Sequence, residues 1–137
     1  NIAARLESAA KQYGIFFHTT EETLFAANQD NYSWRYIDRV QFVGKTVWHQ
    51  TVEIIGFKKD EDDRIEKLTS LFNKALEKYY NQEWDKAIEL FEKSNKYETY
   101  REDEDINPSK IFIERAYEFK RYAPRSGWRG AFILVNK

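Results

Sequence analysis

The apolar spacing of this chain changes period once, at a run of charge, Lys58-Lys59-Asp60-Glu61-Asp62-Asp63. Before that run, β-branched and aromatic residues alternate with polar ones. Val40 and Phe42 alternate with Arg39 and Gln41, and after Gly44-Lys45-Thr46 the residues Trp48, Val52 and Ile54 alternate with His49, Thr51 and Glu53. Alternation puts successive side chains on opposite faces of a strand, so two such stretches about a glycine-containing turn predict a β-hairpin between Trp34 and Phe57. After the run, Ile65, Leu68, Leu71, Phe72, Ala75, Leu76 and Tyr79 recur at the spacing of one helical face. Asn81-Gln82-Glu83 reads as a turn, and Trp84, Ala87, Ile88, Phe91 and Ser94 line a second helix. Asn107 as cap and Pro108 in the first helical position open a third, with Phe112, Ala116 and Phe119 on its apolar side. Pro124 and Gly127 stop it. The charged run is therefore the expected boundary. Residues 1–58 carry the sheet; residues 59–137 form a helical tail whose Trp128, Phe132, Ile133 and Leu134 pin the end of the chain. The expected class is α+β.

The N-terminal stretch reads as an amphipathic helix. Ile2, Leu6, Ala9 and Tyr13 make one apolar stripe, and Asn1, Arg5 and Ser8 share a neighbouring face. An amide and a guanidinium then stand about one turn apart on rigid backbone, the first a neutral two-way hydrogen-bonder and the second a permanent cation suited to phosphate oxygens. Gly14 fits the left-handed position that ends a helix. Ile15-Phe16-Phe17 is expected as a short buried strand. Thr19 with Glu22 makes a capping-box pattern for a short helix through Leu24 and Phe25 to about Ala27, and Asn28-Gln29-Asp30-Asn31 is turn chemistry.

Composition narrows the function. Charged residues make up 33% of the chain, yet the net charge is −1, so no field of one sign invites nucleic acid or an acidic membrane. Without cysteine there is no disulfide, zinc–thiolate site or thiol nucleophile, in keeping with a cytoplasmic setting. His18 and His49 are single and far apart in sequence. The acidic residues Glu98, Glu102, Asp103, Glu104 and Asp105 lack the spaced glycine of a calcium loop and read as a solvated connection. Trp34, Trp48, Trp84 and Trp128 fall at structural periods and are assigned to the core. No apolar run reaches transmembrane length and no signal peptide opens the chain. With no Met and an Asn in a helix-opening motif at its start, the sequence is expected to be a piece of a longer chain.

Asn1-Ile2-Ala3-Ala4-Arg5, continued by Leu6-Glu7-Ser8, resembles the Asn-x-x-(Ala/Ser)-Arg motif of the last long helix in the catalytic domain of class III nucleotidyl cyclases. Ile37-Asp38-Arg39-Val40-Gln41-Phe42-Val43-Gly44-Lys45-Thr46 resembles the closing hairpin of the bacterial domain. The spacing of Ala75, Ala87, Phe91 and Ser94, with Trp84 at the turn, is similar to one tetratricopeptide repeat. The segments from Pro108 to Arg115 and from Pro124 to Gly130 look like the helical tail of bacterial members.

The resemblance implies the C-terminal part of a ferredoxin-like cyclase domain (helix, strand, helix, hairpin) followed by a helical tail. It implies a parent that converts ATP or GTP to the 3′,5′-cyclic nucleotide and pyrophosphate, as a homodimer with Mg or Mn. In the family the asparagine orients the ribose and the arginine stabilises charge on the phosphate; Asn1 and Arg5 occupy those positions. The metal-holding aspartates lie upstream of this helix in the family, so the chain alone binds no metal and is expected to be inactive. The family's triphosphate lysine precedes the hairpin glycine, where this chain has Val43; Lys45, on the other side, is the substitute. That departure leaves a second expectation open, a degenerate cyclase-like module for interaction or dimerisation whose helical tail takes a protein partner. Bacterial relatives are often joined to membrane sensors, so the parent is either cytoplasmic or anchored with this part in the cytoplasm.

Overall fold

Helix α1 (Ile2–Tyr13) opens the chain in the computed structural model, which describes residues 1–99 and 105–135. The protein is α+β and divides into two units, Asn1–Glu61 with Gly130–Lys137, and Asp62–Arg129. The acidic residues Glu102, Asp103 and Glu104 lie outside the described residues.

In the first unit, the Asn1 side chain accepts the Ala4 N–H at 3.3 Å and caps α1. Gly14 ends the helix with φ 71°, its N–H returned to the Ala10 and Lys11 carbonyls. Leu6, Ala9, Ala10 and Tyr13 are buried; of the predicted stripe Ile2, at the helix start, is only half-buried, and Ala10 joins it. The chain then departs from expectation. Ile15 is buried, but Phe16 and Phe17 are 72% and 55% exposed, and strand β1 is His18–Thr20. Pairing decides this: His18, Thr19 and Thr20 lie opposite Glu53, Val52 and Thr51 of β3 (His49–Phe57). The cap of α2 (Glu21–Ala26) is Thr20, one residue beyond the expected Thr19; its Oγ1 accepts the Thr23 N–H at 3.1 Å while its backbone ends the strand opposite Thr51.

Strand β2 (Tyr32–Phe42) pairs antiparallel with β3 as the hairpin the alternation predicts. The sheet order is β1-β3-β2-β4, where β4 (Ala131–Leu134) runs parallel to β2. A parallel neighbour needs a long crossover. Here the chain between β2 and β4 includes β3 and the whole second unit, so residues 62–129 are an insertion in the path of the first.

The hairpin register slips between Tyr36 and Arg39. Asp38, at this bulge, is fully buried. Its Oδ2 accepts the Tyr13 hydroxyl at 2.5 Å and its Oδ1 the Arg39 N–H at 2.8 Å. Its backbone N–H donates to Thr51 Oγ1 at 3.2 Å, and its carbonyl accepts from the Thr51 hydroxyl and the Gln50 amide, both at 3.1 Å. A second polar pair, buried Arg35 Nε to half-buried Glu53 Oε1 at 2.8 Å, crosses the same two strands. The unit's exit is fixed by Glu61, which accepts the Ser33 hydroxyl at 2.8 Å.

The second unit holds α3 (Asp63–Tyr80), α4 (Trp84–Asn95) and α5 (Pro108–Arg121). Ala75, Ala87 and Ala116 are fully buried, and these small residues let the helices approach. Tyr79 is the centre of an aromatic cluster, with ring contacts to Trp84, Phe91, Phe112, Phe119 and Trp128 at 4.9–6.4 Å. Asn107 caps α5 through the Lys110 N–H at 2.9 Å, as its position before Pro108 predicts. The start of α5 is tied back by Ser109, whose hydroxyl and N–H both donate to Glu98 Oε2, at 2.6 and 3.1 Å. The expected docking segment thus divides. Trp128 packs in the helical unit, whereas Leu134 is buried in the sheet of the first, and Phe132 and Ile133 are 37% and 56% exposed.

Tyr13→Phe leaves the packing volume nearly unchanged and strips a buried carboxyl group of its hydroxyl donor. The expected cost is about 1–3 kcal/mol, read as a lower urea midpoint with an unchanged slope. An unchanged midpoint contradicts this role for the contact.

Candidate functional site

Arg5 stands one turn into α1, and its guanidinium lies over the ring of Phe42 with Cζ 4.6 Å from the centroid. Phe42 is the buried last residue of β2, so the loop from Val43 to Trp48 leaves the sheet at the ring that carries Arg5. Among the described residues no carboxylate pairs with Arg5. A guanidinium stacked by its face keeps its N–H donors at the edge, where they can meet an anion in the plane of the fork. This is a half-exposed positive charge without a counter-ion among the described residues.

The other two sequence-predicted residues are placed differently. Asn1 is exposed and precedes the helix rather than lying on its face, its side-chain oxygen taken by the cap to Ala4. Its amide nitrogen is the group left for a ligand. Lys45 is exposed in the hairpin loop, three residues beyond Phe42. The loop turns tightly there: the Lys45 N–H donates to the Phe42 carbonyl at 3.0 Å, its own carbonyl accepts the Gln41 amide at 2.8 Å, and Gly44 adopts φ 83°. Val43, just before Gly44, is 57% exposed. Arg5 and the loop bearing Lys45 therefore share the Phe42 end of β2.

Two clefts flank this unit. One, of ≈350 Å³, is lined by Thr20, Glu21, Glu22, Phe25, Trp48, His49 and Gln50. Glu21 is engaged there by the Tyr36 hydroxyl at 2.5 Å, and burial, with the bond to and charge of Glu21, pushes the Tyr36 hydroxyl up to about 12. The Arg39 guanidinium lies 5.1 Å from the Trp48 ring centroid. The other cleft, of ≈320 Å³, is lined by Ala3, Glu7, Phe16, Phe17, His18 and Thr19.

His18 is a feature that sequence reasoning missed. It is 3% exposed, and its ring packs edge-on to Tyr13 with centroids 5.2 Å apart. Nδ1 lies 3.0 Å from the Leu6 carbonyl oxygen, so it carries the proton and donates; Nε2 is buried without a hydrogen-bond partner. Burial lowers its pKa to about 4, against a smaller upward pull from the Leu6 bond. A lone histidine after two phenylalanines carries no sequence signal that separates core from surface.

Among the described residues no three His, Asp or Glu side chains group so as to hold a metal ion, and no helix is long and apolar enough to cross a membrane. Compared with known proteins, the chain matches no family model, no curated protein and no solved structure.

The buried neutral His18 has a consequence for stability. Its folded pKa lies below the ordinary value of 6.5, so the unfolded chain takes up the proton first. Its contribution is complete above about pH 6.5 and is lost as pH falls from there towards 4. The slope approaches about 1.4 kcal/mol per pH unit and sums to about 3 kcal/mol. Urea denaturation from pH 7 to pH 4.5 should show this slope in the wild type and lack it in His18→Asn, whose amide retains a donor for Leu6. Equal slopes in the two proteins contradict the burial of a neutral ring.

Proposed function

We propose that this chain is the closing part of a class III nucleotidyl cyclase, whose parent converts ATP or GTP to the 3′,5′-cyclic nucleotide and pyrophosphate. The observation that carries the reading is Arg5, a guanidinium with no carboxylate partner among the described residues, stacked at the mouth of the hairpin that resembles the family's closing hairpin. The order helix, strand, helix, hairpin in the first unit supports it, as does the run of motifs from Asn1 through Thr46.

Cyclisation is an internal phosphoryl transfer, in which the protein chiefly positions groups and neutralises developing charge. In this reading Arg5 presents its N–H fork to the phosphate oxygens as the 3′ oxygen attacks. The Asn1 amide nitrogen donates to the ribose while its oxygen holds the helix cap. Lys45 meets the outer phosphates as a mobile point charge. The described residues do not supply a metal site, so no step is assigned to a metal held by this chain. In the family the metal aspartates lie upstream, and the partner subunit of a homodimer faces this helix.

One observation favours a second reading. Val43 stands exposed where the family's lysine belongs, as in a cyclase-like module that has lost catalysis and serves dimerisation or a protein partner of the helical unit.

A manganese-supported assay of the longest parent chain, offered ATP and GTP separately, tests the proposal. Product from one nucleotide is expected, and Arg5→Ala should lower turnover on the order of 10²-fold or more. The stacking lost with Arg5 is worth only about 0.5–1 kcal/mol, so the variant should stay folded. No product from either nucleotide by a folded parent sinks the catalytic reading and leaves the interaction module.

A further inference from the structure

The strand that closes the sheet, β4, is a four-residue edge strand that ends on the platform carrying Arg5. Leu134 lies opposite Phe42 in the parallel register, and the Val43 N–H reaches the Leu134 carbonyl at 3.4 Å. One residue on, the Val135 carbonyl accepts the Gln12 amide at 3.5 Å, from the same helix that bears Arg5. Of the apolar residues in and after this four-residue strand, Leu134 is buried, whereas Ile133 and Val135 are 56% and 55% exposed and Phe132 37%. A short edge element with one deeply buried side chain opens at lower free energy than the long hairpin beside it. The chain reaches β4 directly from the helical unit, through Gly130 at φ 86°.

We propose that β4 is a latch that seats Arg5 on Phe42. Docked, Leu134 backs Phe42 and the Arg5 guanidinium keeps its seat on the ring. Released, β4 leaves Phe42 open on that edge, and Arg5 loses a fixed position relative to the hairpin loop. What Arg5 does when seated rests on the cyclase reading above; that β4 seats it does not.

The test uses the whole 137-residue chain, labelled with ¹⁵N, and reads the Arg5 Nε–Hε resonance alongside backbone amides. In Leu134→Ser the amide protection of Phe132–Leu134 should be lost. The Arg5 signal should move from its ring-shifted position to that of a free arginine, while amides of α1 and of β2 paired with β3 keep their shifts. If β4 protection is lost and the Arg5 signal stays in place, the latch is overturned. Should this variant unfold the sheet, a urea series on the unaltered chain decides. The ring shift of the Arg5 signal and the β4 amide shifts should be lost together, before those of the hairpin; an Arg5 signal that keeps its ring shift after β4 has opened overturns the proposal. Neither measurement uses a cyclase assay. An inactive parent therefore leaves the latch standing, and an Arg5 indifferent to β4 leaves the cyclase reading intact.

Discussion

The carboxyl group of Asp38 lies out of contact with water, and its two oxygens take hydrogen bonds from the Tyr13 hydroxyl and the Arg39 N–H. A buried carboxyl group left without donors costs several kilocalories, so these bonds are conditions of folding. The Tyr13 bond fixes the C-terminal end of α1 over the sheet, and with it the direction in which the helix runs back to Arg5. The Arg39 bond and the pairing of Asp38 with Thr51 set the bulge, which turns Val40 and Phe42 inward after it. The placement of Arg5 on Phe42 follows from both ends of this arrangement. One buried group thus joins the helix, the hairpin register and the candidate site.

The helical unit is organised by different means. Its core is a set of edge-on and stacked aromatic rings around Tyr79, and its polar ties lie at the start of α5, where Ser109 and Glu98 meet and Ser94 Oγ lies 2.6 Å from Ser109 Oγ. Arg64 reaches the Tyr97 carbonyl at 2.6 Å and holds the chain leaving α4 from the side of α3. Aromatic pairs have preferred geometries beyond the area they bury. Three helices can therefore form a defined core without the further repeats a solenoid would supply.

The features legible in the sequence were those with a period or a cap. The α1 stripe, the hairpin, the three helical faces and the Asn107–Pro108 start each depend on local spacing, and each stands in the structure. What escaped depends on contacts distant in the chain. Phe16 and Phe17 look like a buried strand until β3 pairs with His18 instead. Thr19 with Glu22 reads as the cap, but the helix starts one residue later and Thr20 caps it. The apolar run at Ala131–Leu134 resembles a docking segment, and nothing local says that it joins the sheet parallel to β2. At the site, the spacing of Asn1 and Arg5 was readable, but their division of labour was not. Asn1 spends its oxygen on the cap, and Arg5 rests on a phenylalanine thirty-seven residues away.

The proposed function rests on Arg5, a cation with no carboxylate partner among the described residues, at the mouth of the β2–β3 loop. Its most direct test is a titration of the ¹⁵N-labelled chain with inorganic triphosphate, against sodium chloride at matched ionic strength. Saturable shifts confined to the Arg5 Nε–Hε group and the amides from Val43 to Trp48, abolished by Arg5→Ala, are the predicted result. Shifts that follow ionic strength alone, or that spread over the lysines of the helical unit and pass Arg5 by, would contradict it.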